Sequence, residues 1–201
     1  GYAPGVRSPW YDRMCEGMLA QAIAQDLDID AHSSTVLFFD AVLVRQLMYE
    51  ARPAAWVGSL DYDKDQGKPK SLEVGEGKLS LWVAPKADGT VPSGTYTIAA
   101  DISFGTGKTP SCASIFNAAI GRKVGMYVDP WIEPAEFATF CVALCWMFVD
   151  ESGEPALLGW DGHGPCGAQF KNQVVHLGYR KIHYRQMENL LTAKSSDEPG
   201  M

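Results

Sequence analysis

Thr95-Tyr-Thr-Ile-Ala-Ala-Asp101, followed by Ile102-Ser-Phe-Gly-Thr-Gly-Lys-Thr109, is the stretch on which the fold turns. The first half is short, apolar and β-prone, and the second is polar and broken by glycines, so a buried strand should end on Asp101 and open into a loop. A carboxylate there is held by the strand yet open to solvent, a position suited to a divalent cation or a phosphate. A second apolar run, Ala156-Leu-Leu-Gly-Trp160, ends the same way on Asp161, followed by Gly162-His-Gly-Pro-Cys-Gly167.

The elements around these two runs follow an order. Strands are expected at about 111–118 and 123–128, with a turn near Gly121. Pro134 should open a helix whose apolar face is Phe137, Phe140, Cys141, Leu144, Cys145 and Phe148. A second helix should run to Leu177 and stop at Gly178, and a short fifth strand should cover Lys181 to Tyr184. Strand, strand, strand, helix, strand, helix, strand predicts an antiparallel meander whose first strand receives the fourth in parallel through a crossover helix. Asp101 and Asp161 would then lie side by side at two carboxyl ends. Two carboxylates that close repel, and one pKa should rise unless cations neutralise them. A pair of Mg2+ or Mn2+ ions answers that need and would support two-metal phosphodiester hydrolysis.

Upstream, helices are expected from Tyr11 to Asp26 and from an Asp40 N-cap through Leu43 and Leu47 to a stop at Pro53. Trp56 to Leu60 reads as a strand, 61–70 as a polar loop, and Leu79, Leu81 and Val83 alternate as a strand does. Pro85 to Gly94 is the best candidate boundary or linker.

Composition narrows the class. With 201 residues, 46% hydrophobic and 20% charged, the chain can bury a real core. Its longest apolar run, Phe137 to Val149, is too short to span a bilayer, so no membrane role is expected. No signal peptide is legible, and the Gly1 start suggests a fragment of something longer. Five cysteines without a CxxC pair point to reduced thiols, and Cys141 and Cys145 to core packing ahead of zinc. A net charge of −7 argues against an indiscriminate polyanion binder. From Gly162 to Met187, however, there is no acid, while Lys171, Arg180, Lys181 and Arg185 form a basic stretch that could receive a phosphate backbone.

Five stretches, in order along the chain, carry a resemblance. They are Ser8-Pro-Trp-Tyr-Asp12, Ile23-Ala-Gln-Asp-Leu-Asp-Ile-Asp30, Gly77-Lys-Leu-Ser-Leu-Trp82, Tyr96-Thr-Ile-Ala-Ala-Asp-Ile-Ser-Phe-Gly105 and Leu177-Gly-Tyr179. Together with the acids on strands one and four, the chain resembles the large terminase subunit of tailed bacteriophages, whose C-terminal part is an RNase H-like nuclease. The resemblance implies an α/β, RNase H-like mixed sheet preceded by a helical and linker segment. It implies the end of an ATPase region over 1–85 and a nuclease domain, truncated at its C-terminus, over 86–201. The activity implied is metal-dependent endonucleolytic cleavage of concatemeric double-stranded viral DNA, in the host cytoplasm. Its partners would be that DNA, the small terminase subunit, the portal protein and other copies of the chain. Asp101 and Asp161 match the family's metal-binding acids. The family's third acid lies beyond this chain's end; Asp197 and Glu198 sit in a tail that reads as disordered and are not assigned that role. The Walker motifs of the motor are absent.

Several residues invite a sharper reading beside a blander one. Gly105-Thr-Gly-Lys-Thr109 imitates a phosphate loop, but Ile102 stands where the first glycine is required and Pro110 leads into a strand. Lys108 is better read as a contact to DNA phosphate. His163 could assist proton transfer, against the plain reading of a loop histidine. Glu136 could bind metal, though a first-turn glutamate is favoured by the helix dipole alone. The alternatives to a nuclease are an actin- or chaperone-like ATPase domain and a non-catalytic DNA or protein docking module.

Overall fold

The computed structural model describes residues 8–19, 22, 23, 27, 41–187 and 194–199. The chain divides into two units, Gly1–Arg52 and Pro53–Met201. In the first, α1 (Pro9–Cys15) starts at Ser8, whose hydroxyl accepts the Tyr11 N–H at 3.1 Å, with Pro9 in the first turn. It ends at Cys15, short of the helix expected to reach Asp26; residues 20, 21 and 24–26 lie outside the described residues. Helix α2 (Ala41–Glu50) stops short of Pro53 as expected, while its Asp40 cap lies outside the described residues.

The second unit is built on one mixed sheet of seven strands: β1 (Trp56–Asp63), β2 (Lys68–Val74), β3 (Leu79–Leu81), β4 (Tyr96–Asp101), β5 (Ser111–Asn117), β6 (Arg122–Asp129) and β7 (Leu157–Trp160). Their order across the sheet is β2-β1-β3-β6-β5-β4-β7. β4, β5 and β6 form the expected antiparallel meander, and β7 lies parallel to β4. Beyond β7, Ile182 makes a parallel bridge to Leu158, with the Leu158 N–H donating to the Lys181 carbonyl at 2.9 Å and the His183 N–H to the Leu158 carbonyl at 2.8 Å. The fifth strand read from the sequence is thus reduced to a single bridge.

Two expectations upstream and downstream give way. Residues 61–70 are not one loop: β1 continues to Asp63, β2 begins at Lys68, and only four residues turn between them. The charges that suggested a loop sit at the outer edge of the sheet, where lysines and Pro69 also discourage pairing with another chain. Residues 194–199, read as part of a disordered tail, form β9 (Lys194–Pro199), paired antiparallel with β8 (Tyr184–Met187). A hairpin partner supplies the backbone hydrogen bonds that polar composition alone does not reveal. The sheet also runs across the Pro85–Gly94 segment, since β1 to β3 precede it and β4 follows.

Helix α3 (Pro134–Met147) packs on β1, β2, β4 and β7 and against α4 (Gly164–His176). The sequence suggested one apolar face for α3, yet every residue from Phe137 to Cys145 is buried. Sheet, α4 and the β1–β2 hairpin enclose it on all sides, which is where a helix apolar all round belongs. Cys141 and Cys145 are wholly buried there, and burial pushes the Cys145 thiol up to about 12. Both therefore remain neutral core residues. No helix among the described residues is long and apolar enough to cross a membrane.

One charged residue sits inside. Asp129 is 6% exposed and accepts from the Lys78 ammonium at 2.7 Å, the Tyr127 hydroxyl at 2.9 Å and the Trp131 N–H at 2.9 Å. Burial pushes its carboxyl up, but the bonds from Lys78, Trp131 and Tyr127 outweigh it and leave the pKa below the ordinary value. A depressed folded pKa means stability that is complete above the ordinary carboxylate range and lost as pH falls through the folded value. Asp129→Asn should remove that part of the acid sensitivity. Urea midpoints at neutral pH and at about pH 3 measure it, and an equal drop in both proteins would refute it.

Candidate active site at the carboxyl ends of β4 and β7

In β4, Tyr96, Ile98 and Ala100 are buried, while Thr97 and Ala99 are half-buried and Asp101 is exposed. Side chains alternate along a strand, so Asp101 lies on the face opposite the helices, with Thr97 and Ala99. The β4–β7 register pairs Thr97 with Leu157, Ala99 with Gly159 and Ala100 with Trp160. Asp101 is the last residue of β4, and Asp161 follows directly after the end of β7. Because β4 and β7 are parallel neighbours, both acids stand at the same, carboxyl end of the sheet.

The environments of the two acids differ. Asp101 makes no hydrogen bond or ion pair among the described residues, and its register partner on β5 is Cys112. Asp161 caps its own turn: its Oδ1 accepts the His163 N–H at 3.0 Å and lies 2.6 Å from His163 Nδ1. The His163 N–H first, and its ring second, lower the Asp161 pKa. Asp161 is therefore held as a carboxylate with one oxygen free for a further partner.

The turn after Asp161 is fixed by packing. A Cβ at Gly167, in the first turns of α4, would lie 2.6 Å from the Asp161 carbonyl oxygen and 2.7 Å from the Gly162 carbonyl carbon. Gly167→Ala should therefore push the Asp161 turn away from the helix despite alanine's better helix propensity. The expected result is a loss of about 1–3 kcal/mol in urea unfolding. Any activity that depends on Asp161 should fall by roughly tenfold or more. Unchanged unfolding would show that the turn yields freely.

The other candidate residues are spread out. The loop carrying Lys108 does not hang over Asp161: the Gly107 N–H donates to the Pro130 carbonyl at 2.8 Å and the Trp131 ring lies against Gly107, drawing the loop toward the β6–α3 connection. With that N–H spent and β5 following, the segment is not arranged as a phosphate loop. Lys108 itself is exposed. Lys171 is half-buried on α4. Arg180 and Lys181 sit at the amino end of β7 with Glu154, which lies 3.7 Å from the Lys181 ammonium, so they are at the far end of that strand from Asp161. Arg185 lies in β8, and its side chain falls outside the described residues. Glu136 pairs with Lys64 at 2.7 Å, toward the β1–β2 turn. Asp161 and His163 touch, Asp101 ends the neighbouring strand at the same end of the sheet, Arg180 and Lys181 lie at the other end of β7, and Glu136 is paired with Lys64.

Among the described residues, no three His, Cys, Asp or Glu side chains gather to hold a metal ion. Two carboxylates are nonetheless a donor set that Mg2+ or Mn2+ accepts, since such ions keep several waters and take the rest from substrate phosphates. Sequence reasoning passed over the Lys78–Asp129 pair. The signal was there: Asp129 has the same parity on β6 as the buried Tyr127.

No protein-family model matches the chain, and no curated protein sequence matches it.

Proposed function

We propose that the chain is the nuclease part of a viral DNA-packaging terminase, an RNase H-like domain that cleaves concatemeric double-stranded DNA with divalent cations. What supports this reading is the β4–β7 pairing, two parallel neighbours of which one ends on Asp101 and the other runs directly into Asp161. The order β6-β5-β4-β7, with a further parallel bridge at Ile182, supports it as the meander-plus-parallel arrangement such nucleases use.

In this reading Asp101 and Asp161 hold Mg2+ or Mn2+ and orient the scissile phosphate. The ions, when bound, supply an activated water and stabilise the leaving oxygen. His163 holds the Asp161 carboxylate in place and keeps it ionised, and the other ring nitrogen is left to meet substrate or water. Lys108, exposed on a loop drawn toward the β6–α3 connection, would contact phosphate further along the DNA. Arg180 and Lys181 are too far round the sheet edge to serve the same phosphate and would contact DNA elsewhere along its path. Residues before Pro53 would belong to the end of the motor's ATPase region. The small terminase subunit, the portal protein and further copies of the chain would be its partners in the host cytoplasm.

Nicking of supercoiled plasmid in Mn2+, abolished by EDTA, is the test. A plasmid left intact in both Mn2+ and Mg2+ by folded protein would sink the proposal.

A further inference from the structure

Two large aromatic side chains stand out of the protein at the carboxyl end of the sheet. Phe104, in the β4–β5 loop, is 60% exposed, and Trp131, in the β6–α3 connection, is 67% exposed. β4 and β6 both run antiparallel to β5, so the two segments leave the sheet at the same end. Neither ring stacks on another aromatic side chain among the described residues.

The backbone that carries them is tied down. The hydroxyl of Ser111, a wholly buried residue, accepts the Ser103 N–H at 3.0 Å and lies 3.2 Å from the Ser103 hydroxyl. That second hydroxyl accepts the Gly105 N–H at 3.3 Å. At the tip of the loop the Gly107 N–H donates to the Pro130 carbonyl at 2.8 Å. A Cβ at Gly105 would lie 2.6 Å from the Ile132 carbonyl oxygen and 3.0 Å from that of Trp131, and one at Gly107 would run into the Trp131 ring. Phe104 and Trp131 are therefore near neighbours on a surface fixed before anything binds, with the Trp131 ring braced by the loop yet largely open to water. Apolar surface held in water gives the fold nothing, and a rigid presentation lowers the ordering cost of binding.

The neighbouring side chains indicate what is bound. Between Phe104 and Thr109 the other exposed side chains are Thr106, Lys108 and Thr109, all hydrogen-bond donors. Lys108 makes no ion pair among the described residues. No exposed aliphatic side chain accompanies the rings over 104–109 or 131–133, as an apolar protein contact would require. Glu133 is the one acid in these segments, so a polyanion should follow the Lys108 side. Flat aromatic faces beside hydroxyls and an uncommitted ammonium suit a strand whose bases are unpaired, because every base has a face to stack and every phosphate a charge to meet. We propose that Phe104 and Trp131 form a platform on which unpaired nucleobases stack, with Lys108 on the adjoining phosphate. The platform takes its ligand, DNA, from the nuclease reading above, but not its chemistry.

A fluorescein-labelled oligothymidylate of about twelve nucleotides, titrated with the full chain in EDTA, reports binding by its anisotropy without cleavage. Binding should saturate. Phe104→Ala and Trp131→Ala should each weaken it by about fivefold or more, the loss of one stacked base. Trp131→Phe should keep most of the affinity, whereas Phe104→Leu, apolar but without a flat face, should lose as much as the alanine variant. Lys108→Ala should flatten the slope of log affinity against log salt by about 0.7. An abasic strand of equal length should bind about fivefold or more weakly. Ile120→Ala, an exposed apolar side chain in the β5–β6 turn at the opposite end of the sheet, should change nothing. Absence of saturation, equal binding of the abasic strand, or unchanged affinity in both folded alanine variants would overturn the platform, the last leaving the rings to a protein partner. Ring-dependent binding without plasmid nicking would count against the nuclease reading alone, and nicking without ring-dependent binding against the platform alone.

Discussion

Asp101→Ala should abolish manganese-dependent plasmid nicking while leaving the protein folded. The side chain is exposed at the end of β4 and makes no bond to the rest of the protein among the described residues, so its truncation removes no packing. Surface changes of that kind usually alter stability by about 0.5 kcal/mol or less. The cost to chemistry is of another order. Losing a ligand that positions a cation at a developing charge forfeits several kcal/mol, and about 4 kcal/mol is roughly a thousandfold in rate. Initial nicking rates for the two proteins, with melting curves beside them, give both quantities. Equal rates would show that nicking comes from elsewhere in the chain or from a contaminant. Asp101→Asn should behave like the alanine variant, because a neutral amide keeps the shape but not the charge.

Phe137→Ala should be the most damaging single change to the fold. Phe137 is fully buried in α3, stacked on Tyr127 with ring centroids 6.2 Å apart and edge-on to Phe170 of α4 at 5.7 Å. It thus ties β6 to α3 and α3 to α4. Phe→Ala substitutions in such cores cost about 3–5 kcal/mol, the lost transfer energy plus a cavity the neighbours cannot fill. That is a large part of the 5–15 kcal/mol typical of a domain. Phe137→Leu, closer in volume, should cost about 1.5 kcal/mol or less if its neighbours repack. Urea unfolding measures both, and a loss below about 1 kcal/mol for the alanine variant would mean the helices can close over the gap.

How far the sequence could be read depended on whether the forces were local. β4 to β7 and both long helices fall close to their expected positions, because alternating burial, Pro134 at a helix start and Gly178 at a helix end are signals carried within a few residues. The β1–β2 hairpin was misread for the converse reason. Asp61, Asp63, Lys64, Asp65, Lys68 and Lys70 look like a solvated loop, and only pairing with β3 and the cover of α3 make strands of their flanks. The all-round burial of α3 was equally hidden, since nothing in its own residues says how many neighbours will enclose it.

The candidate site divides along the same line. That Asp101 and Asp161 each end an apolar run is a property of the chain, as is the strand–helix–strand order that makes their strands parallel. That the two strands are parallel neighbours follows from the β4–β7 register, which hydrogen bonds between distant segments set. The sequence by itself determined which residues could carry charge at strand ends, because period and polarity are local. Only the tertiary structure decided which charges meet. It set β7 parallel beside β4, put Asp129 under Lys78, and left Arg180 and Lys181 at the amino end of β7, because pairing across a sheet depends on partners the local sequence does not contain.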